Sequence, residues 1–329
     1  MEEILIIGVD VSKSTLDIFI KPIGFATRID NHLCGFKNWF AELKKLCSAE
    51  SKILVVMEHT GQYSNRFETF LRTNGIGYCK IAALEIKRSL GMTRGKSDKV
   101  DAKRIAEYGW LRKEILVADP ACLANTQQLK QLLSLRAIMV KERAGYLTRI
   151  KEMKDTGTCS TKDIQYKIQR QIIDLLGEKI AQLEQQIKSL ISQDEAINKT
   201  CQLLRSIKGI GWITAAFMIG CTENFTRFTD ARKFNCYAGL APFAHQSGSS
   251  IKGRARVSHL ANKKAKALLN LAASSAIQHN PEMKAYYQRR VAEGKRKMSC
   301  LNIIRSKLVA RMFAVIKRQT PYQPLAPAA

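Results

Sequence analysis

The sequence is short of negative charge and has no long apolar run. Its 329 residues carry 28 Asp+Glu against 54 Lys+Arg, a formal net charge of +26 with pI ≈ 9.8. No stretch approaches the roughly 18–20 uninterrupted apolar residues that a membrane span requires, so no membrane partner is expected. The opening Met1-Glu2-Glu3 is acidic where a signal peptide is basic, and the apolar run behind it is too short for one. The nine cysteines, at 34, 47, 79, 122, 159, 201, 221, 236 and 300, are odd in number and contain no Cys-x-x-Cys. That pattern argues against a disulfide framework and against a zinc site, and it fits a reducing cytosol. A cytoplasmic location is therefore expected. The 46% hydrophobic content is ordinary for a folded protein and too high for a disordered basic tail.

What is present is an excess of base. Lys and Arg gain affinity for nucleic-acid phosphates by releasing counterions, which makes nucleic acid the leading partner class. Charge kept for solubility is the alternative. The excess is uneven: from Ala231 onward 19 Lys+Arg stand against Glu282 and Glu293, so +17 lies in the last 99 residues. The N-terminal half holds acids that look arranged for chemistry.

The length suggests two domains with a helical connector. Ile4–Val11 and Thr15–Ile20 read as strands around a Ser12-Lys13-Ser14 turn, and residues 25–29 read as a third strand. Phe36, Trp39, Phe40, Leu43 and Leu46 recur at helical spacing over residues 35–48. Ile53–Met57 is a continuous apolar run of the kind found in a buried central strand. Phe67, Phe70 and Leu71 mark a helix, and residues 75–81 mark another strand. The pattern predicts an α/β domain over residues 1–115. Residues 116–202 read as a helical connector. Within it, Ile168, Ile172, Leu176, Ile180, Leu183, Ile187 and Leu190 form a coiled-coil-like stripe. Both a dimerisation arm and an antiparallel pair within one chain satisfy that periodicity. Residues 203–320 read as a basic, mainly helical domain with one Gly/Ser-rich loop at 246–253, and residues 321–329 as a frayed tail. Lys208-Gly209-Ile210-Gly211 before an apolar helix resembles a helix-hairpin-helix turn, in which glycines let backbone approach a phosphate.

Four acids stand out. Asp10 ends the first apolar run, Glu58 directly follows Ile53–Met57, and Asp98 and Asp101 sit three apart, on one face of a helix. Each has a plainer reading: a turn residue, a cap or a solvated partner of a nearby lysine. Together they form an all-oxygen set suited to hard cations. Two Mg²⁺ ions there could stabilise the attacking and leaving oxygens of a phosphodiester displacement.

Gly8-Val-Asp-Val-Ser-Lys13, Met57-Glu-His-Thr-Gly-Gln-Tyr63 and Lys96-Ser-Asp-Lys-Val-Asp-Ala102, followed by Ile207–Gly211, Phe228–Phe234, Tyr237-Ala-Gly-Leu-Ala-Pro242 and Gln246-Ser-Gly248, resemble the DEDD-type insertion-sequence transposases. That family includes bridge-RNA-guided recombinases and is related to a site-specific DNA invertase. The resemblance covers nearly the whole chain, in order. It implies an RNase H/RuvC-like first domain whose metal-binding tetrad is Asp10, Glu58, Asp98 and Asp101. It implies a nucleophilic serine at Ser247. The partners it implies are donor and target DNA, a structured non-coding guide RNA and further copies of the chain, as dimers assembling to a tetramer in a prokaryotic cytoplasm. In that assembly the tetrad of one subunit would lie near the serine of another. Lys252, Arg254 and Arg256 are candidates to grip phosphates beside the serine, with Lys208, Gly209, Gly211, Lys263 and Lys266 in support. The chain departs from the family where Ala261-Asn262 stands for Gly-Asn and Ala265-Lys266 for Leu-Arg, which removes a bidentate Arg at 266. A metal-dependent structure-specific nuclease using water as nucleophile is the competing reading. His245 and His59 are weaker candidates for catalytic or ligand roles.

Overall fold

A computed structural model describes residues 4–47, 51–59, 61–89, 91, 98–119, 124–158, 160–247 and 251–323; for 98, 99, 124, 245–247, 251 and 252 it describes the backbone only. The chain divides into two compact units, Met1–Ala121 and Cys122–Ala329.

The first unit runs β1 (Ile4–Val11), β2 (Thr15–Lys21), β3 (Phe25–Asp30), α1 (Leu33–Leu46), β4 (Lys52–Glu58), α2 (Asn65–Thr73), β5 (Gly77–Ile81), α3 (Ala83–Ser89) and α4 (Asp98–Leu111). The strands form one mixed sheet in the order β3-β2-β1-β4-β5. β1–β2 and β2–β3 are antiparallel, while β1–β4 and β4–β5 are parallel. The order is consistent with the RuvC-like expectation.

Side chains alternate across a strand, so each β1 residue is committed to one of two layers. Ile7, Val9 and Val11 meet α1 and α2 through Phe36, Trp39, Leu43, Phe67 and Leu71, all buried. The Phe36 and Phe67 rings lie 5.1 Å apart and tilted, an arrangement aromatic pairs favour. Ile6 and Val56 face the other layer with Ile86, Ile105 and Tyr108, from α3 and α4.

The second unit runs α5 (Ala124–Asp155), α6 (Ile164–Gln193), α7 (Glu195–Arg205), α8 (Trp212–Thr222), α9 (Ala231–Tyr237), β6 (Pro242–Ser247), β7 (Ile251–Val257), α10 (Lys263–His279), α11 (Pro281–Ala292) and α12 (Lys297–Arg318). α5 and α6 pair antiparallel within the chain: Arg136 bonds Glu184 at 2.6 Å, Arg143 reaches the Ile173 carbonyl, and Met153 meets Gln169. Of the two readings of the apolar stripe, the intrachain pair is present. α8 is apolar nearly all round and sits inside a core that includes Leu129, Ile187, Leu204, Phe234, Leu269, Ile304 and Leu308. Helix starts are capped by side-chain oxygens: Asp194 accepts from Ile197 N, Asp230 from Lys233 N and Asn262 from Ala265 N, at 2.9–3.1 Å.

One expectation is corrected. The stretch 246–253 was expected as a loop in a helical domain. β6 and β7 instead pair as an antiparallel ribbon through Ser247↔Ile251, Gln246↔Lys252 and His245↔Gly253. The reason lies in Ile251-Lys-Gly-Arg-Ala-Arg-Val257, where small or apolar residues alternate with cations at the strand period. Residues 248–250, the rest of the expected loop, lie outside the described residues.

Candidate active site

Asp10 and Glu58 come together through strand register. β1 and β4 pair in parallel with Gly8↔Val56 and Val9↔Met57, so Glu58, the last residue of β4, is the next position along from Met57 and stands level with Asp10. Val56 belongs to the layer that meets α4, and Glu58 lies two residues on, as Asp10 lies two beyond Gly8. Both acids are therefore on the α4 face, at the C-terminal ends of neighbouring parallel strands, and both are half-buried.

α4 is brought down onto this face by glycine. A Cβ on Gly8 would lie 2.3 Å from Ala106 N and 2.4 Å from the Ala102 carbonyl oxygen, so only glycine lets helix backbone approach strand backbone this closely. Near the other end of the helix, Gly109 stands against Ile6 and Val56. Moving from Ile6 to Gly8 thus moves from residue 109 back to 102–106, and the helix runs antiparallel to β1. Two further strand residues span about 6.6 Å, equal to roughly four helical residues. That brings the start of α4, where Asp98 and Asp101 stand, level with Asp10. The Asp101 carboxylate accepts from Arg104 Nη1 at 3.0 Å. Asp98 is the first residue of the helix.

A fifth carboxylate escaped the sequence reading. Asp17 pairs directly with Asp10 across the β1–β2 ladder and is only 2% exposed. Arg28 answers it from the third strand, with Nη2 at 2.9 Å and Nε at 3.0 Å from its two oxygens. Two adjacent carboxylates repel, and the guanidinium offsets that cost beside Asp10. The available signal was a lone acid inside the apolar strand Thr15-Leu-Asp-Ile-Phe-Ile20. His59 is exposed and lies just past β4, its backbone N–H donating to the Ile81 carbonyl.

Among the described residues no three His, Cys, Asp or Glu side chains are gathered closely enough to hold a metal ion. The fourth acid of the expected set, Asp98, has only its backbone described. The donors are carboxylates throughout, which fits a hard divalent cation and does not fit a soft one.

In the second unit, Ser247 closes β6 opposite Ile251. An irregularity between Phe243 and His245 shifts the ribbon's register, so that Arg256 pairs with Phe243 and Lys252 with Gln246. Arg254 and Arg256 are exposed. The root of the ribbon is fastened twice. Asn262 N donates to the Tyr237 carbonyl at 2.8 Å, and Asn262 Nδ2 donates to the Tyr237 hydroxyl at 2.8 Å. Lys208 is exposed in the turn between α7 and α8, and Gly211 N-caps α8 with open space where a Cβ would stand. Gly209 is in different surroundings. Its φ is +100°, and a Cβ there would lie 2.7 Å from Ala276 Cβ and 2.9 Å from the Ala272 carbonyl. Its glycine is required by packing on α10. Lys263 and Lys266 are in the first turn of α10, the first exposed and the second half-buried. The departure at position 261 is accommodated by a glycine: Ala261 Cβ occupies the space where a side chain on Gly239 would start, 2.5 Å from that point.

Two family models match the chain in order. A DEDD-type transposase model of the IS110 group matches residues 7–155, and the transposase IS116/IS110/IS902 family model matches residues 201–288. The chain is 28% identical to a pilin gene-inverting protein of Moraxella lacunata, over 96% of this chain and 97% of that one. It is 24% identical to the transposase for insertion sequence element IS1111A of Coxiella burnetii, over 98% of this chain and 92% of that one. The two models together match most of the chain, which belongs to the IS110/IS116 family of transposases, enzymes that cut and recombine DNA.

Proposed function

We propose that this protein moves an insertion sequence by cutting and rejoining DNA through a covalent phosphoserine at Ser247, with Asp10, Glu58, Asp98 and Asp101 as ligands for two Mg²⁺ ions. The observation that carries the reading is the shared face of Asp10 and Glu58 at the sheet end, with the start of α4 level with them. Bound there, divalent cations would neutralise charge on the scissile phosphate and on its leaving oxygen. Arg104 occupies one oxygen of the Asp101 carboxylate until a cation competes for it, and Arg28 holds Asp17 in place beside Asp10.

The serine step balances without an external energy source. Ser247 Oγ forms a bond to phosphorus as the bond to the deoxyribose oxygen breaks; the hydroxyl gives up its proton and the leaving oxygen takes one. Attack by a second strand's hydroxyl reverses the exchange and frees the serine. The phosphodiester energy is conserved, so ends can be resealed. This suits a relative named for inverting a gene, since inversion requires rejoining.

Arg254 and Arg256 would grip phosphates flanking the serine, and Lys252, Lys263, Lys266, Lys208 and the Gly209–Gly211 turn would extend that surface. A structured non-coding RNA as guide, and assembly of dimers into a tetramer, are proposed from the family resemblance. The +17 stretch after Ala231 supports the first. Exposed apolar side chains on the helical pair, among them Ile138, Leu147, Ile168 and Leu175, support the second. Residues 1–115, 116–202 and 203–320 are proposed as catalytic domain, helical arm and serine domain.

Trapping decides the nucleophile. Denaturing the full-length protein after incubation with element-end DNA and Mg²⁺ should leave DNA covalently attached, and Ser247→Ala should lose the attachment while still binding DNA. Cleavage without any adduct would instead favour water as nucleophile, as in a junction resolvase. Mixing Ser247→Ala with Asp10→Ala subunits should restore activity if tetrad and serine come from different subunits, and none if they come from one.

A further inference from the structure

The second unit contains a cavity of about 490 Å³ between α5, α8, the end of α9 and the start of α10. Its walls are Leu133, Ile213, Phe217 and Leu268, and among the described residues no acid lines it. Lys130, Arg136, Arg227 and Lys264 are the charged groups around it. Lys130 and Arg136 are engaged by Glu223 and Glu184. Arg227 is exposed and lies over the Phe228 and Tyr237 rings at 5.6 Å from each centroid, and Lys264 is exposed in the first turn of α10.

The polar end of the cavity has a defined hydrogen-bond sense. Asn262 is fixed in orientation because its Oδ1 accepts from Ala265 N, so its Nδ2 must donate to the Tyr237 hydroxyl. Cys221 Sγ lies 3.7 Å from that oxygen. The Tyr237 oxygen accepts from Asn262, so its own hydrogen is left to another partner. Burial pushes the phenol's pKa up, so the hydroxyl keeps that proton. An apolar slot with a phenol at one end, cations at its mouth and no acid among the described residues that line it matches a flat heteroaromatic ring carrying an acceptor edge and attached to phosphates.

We propose that this cavity receives a single unpaired base of the DNA, with its ring between the apolar walls, an acceptor on its edge meeting the Tyr237 hydroxyl, and adjoining phosphates on Arg227 and Lys264. The cavity lies at the root of the ribbon that carries Ser247, since Tyr237 precedes β6, Asn262 follows β7, and the two are bonded to each other. The five residue steps from Pro242 to Ser247 span about 17 Å. A base held at the root would therefore fix the strand's position relative to the serine without touching the phosphate under attack. This inference rests on DNA binding by the family and is independent of the phosphoserine.

The test uses the full-length protein and a short single-stranded DNA carrying 2-aminopurine, alongside the same strand with that nucleotide abasic. Wild type should change the 2-aminopurine fluorescence and bind the base-bearing strand about tenfold more tightly than the abasic one. Ala137→Phe, at an exposed position on the cavity wall, should erase that difference and leave the abasic affinity unchanged. Equal wild-type affinity for the two strands would overturn the proposal. So would a preference for the RNA version of the strand over the DNA version. A change of oligomeric state on Ala137→Phe without DNA would overturn it too, because it would show that a second copy fills the cavity. Formation of the covalent adduct by a protein that ignores the missing base would defeat the cavity and leave the serine reading intact. Discrimination without adduct would do the reverse.

Discussion

The two units contain almost the same number of acids and differ sharply in base. Residues 1–121 hold 15 Asp+Glu against 19 Lys+Arg, and residues 122–329 hold 13 against 35. In the first unit, acids on the sheet and its helices are held by bases: Asp17 by Arg28, Glu68 by Lys80, Asp101 by Arg104, and Glu107 by Lys21. In the second, several acids serve the scaffold. Asp194 and Asp230 cap helices, while Glu184, Glu223 and Glu282 pair with Arg136, Lys130 and Arg311. The excess of 22 positive charges is left over. A nearly neutral sheet end with carboxylates suits a cation bound against a phosphate. A surplus of cations suits the phosphates themselves. The number of acids says little about which unit handles metal; their place in the fold distinguishes the two.

The sharpest way to break this comparison is to neutralise acids in one unit and bases in the other. Glu58→Gln or Asp10→Asn should lower strand cleavage by roughly 10²–10³-fold, the scale of removing one group that stabilises developing charge. DNA affinity, measured by anisotropy, should stay near wild type because the phosphate surface is assigned to the other unit. A parallel loss of affinity would show that the division of labour is wrong. Gly8→Ala comes next. Its new Cβ would press on helix backbone at 2.3–2.4 Å, so α4 must move. We expect the sheet unit to lose about 1–3 kcal/mol in denaturant unfolding and cleavage to fall with it. Unchanged stability would mean that α4 does not rest on β1. Arg254→Gln with Arg256→Gln should leave folding intact and weaken all DNA sequences alike. The slope of log affinity against log salt should become shallower by about one for each phosphate that is no longer neutralised.

Much of the sheet unit was legible because its signals are local. Ile4–Val9 and Ile53–Met57 are apolar runs, each followed at once by an acid, and parallel pairing alone makes those acids neighbours. Asp17 was missed because one polar residue in an apolar strand carries no instruction about its partner, and Arg28 is supplied by a different strand. The β6–β7 ribbon was misread for another reason. Its Gly and Ser content outweighed an alternation of Lys252, Arg254 and Arg256 with smaller residues that was present all along. Gly209 illustrates the limit of motif reading. The sequence pattern suggested a phosphate turn, whereas Ala272 and Ala276, more than 60 residues downstream, require that glycine for packing. The cavity in the second unit is assembled from residues 130 to 268, a span no local pattern encodes.

The smallest predicted effect isolates what an acid does when it only supports structure. Asp194 accepts from Asn125 Nδ2 at 2.8 Å and from Ile197 N at 3.1 Å, and these bonds hold its carboxyl below the ordinary 3.8. A carboxyl with a lowered folded-state pKa adds stability at pH values above its unfolded value. That contribution is lost as pH falls through the folded-state value. Asp194→Ala removes the cap outright and should cost about 1 kcal/mol at neutral pH, whereas Asp194→Asn keeps an oxygen for Ile197 N and should cost less. Urea unfolding at a series of pH values should show wild type and Asp194→Asn converging in acid, because protonation removes the charge that distinguishes them. Cleavage at neutral pH should be unaffected by either change. A loss of cleavage in Asp194→Asn with stability intact would mean that acids of the second unit take part in the chemistry, and the contrast between a metal-holding unit and a phosphate-holding unit would fail at that residue.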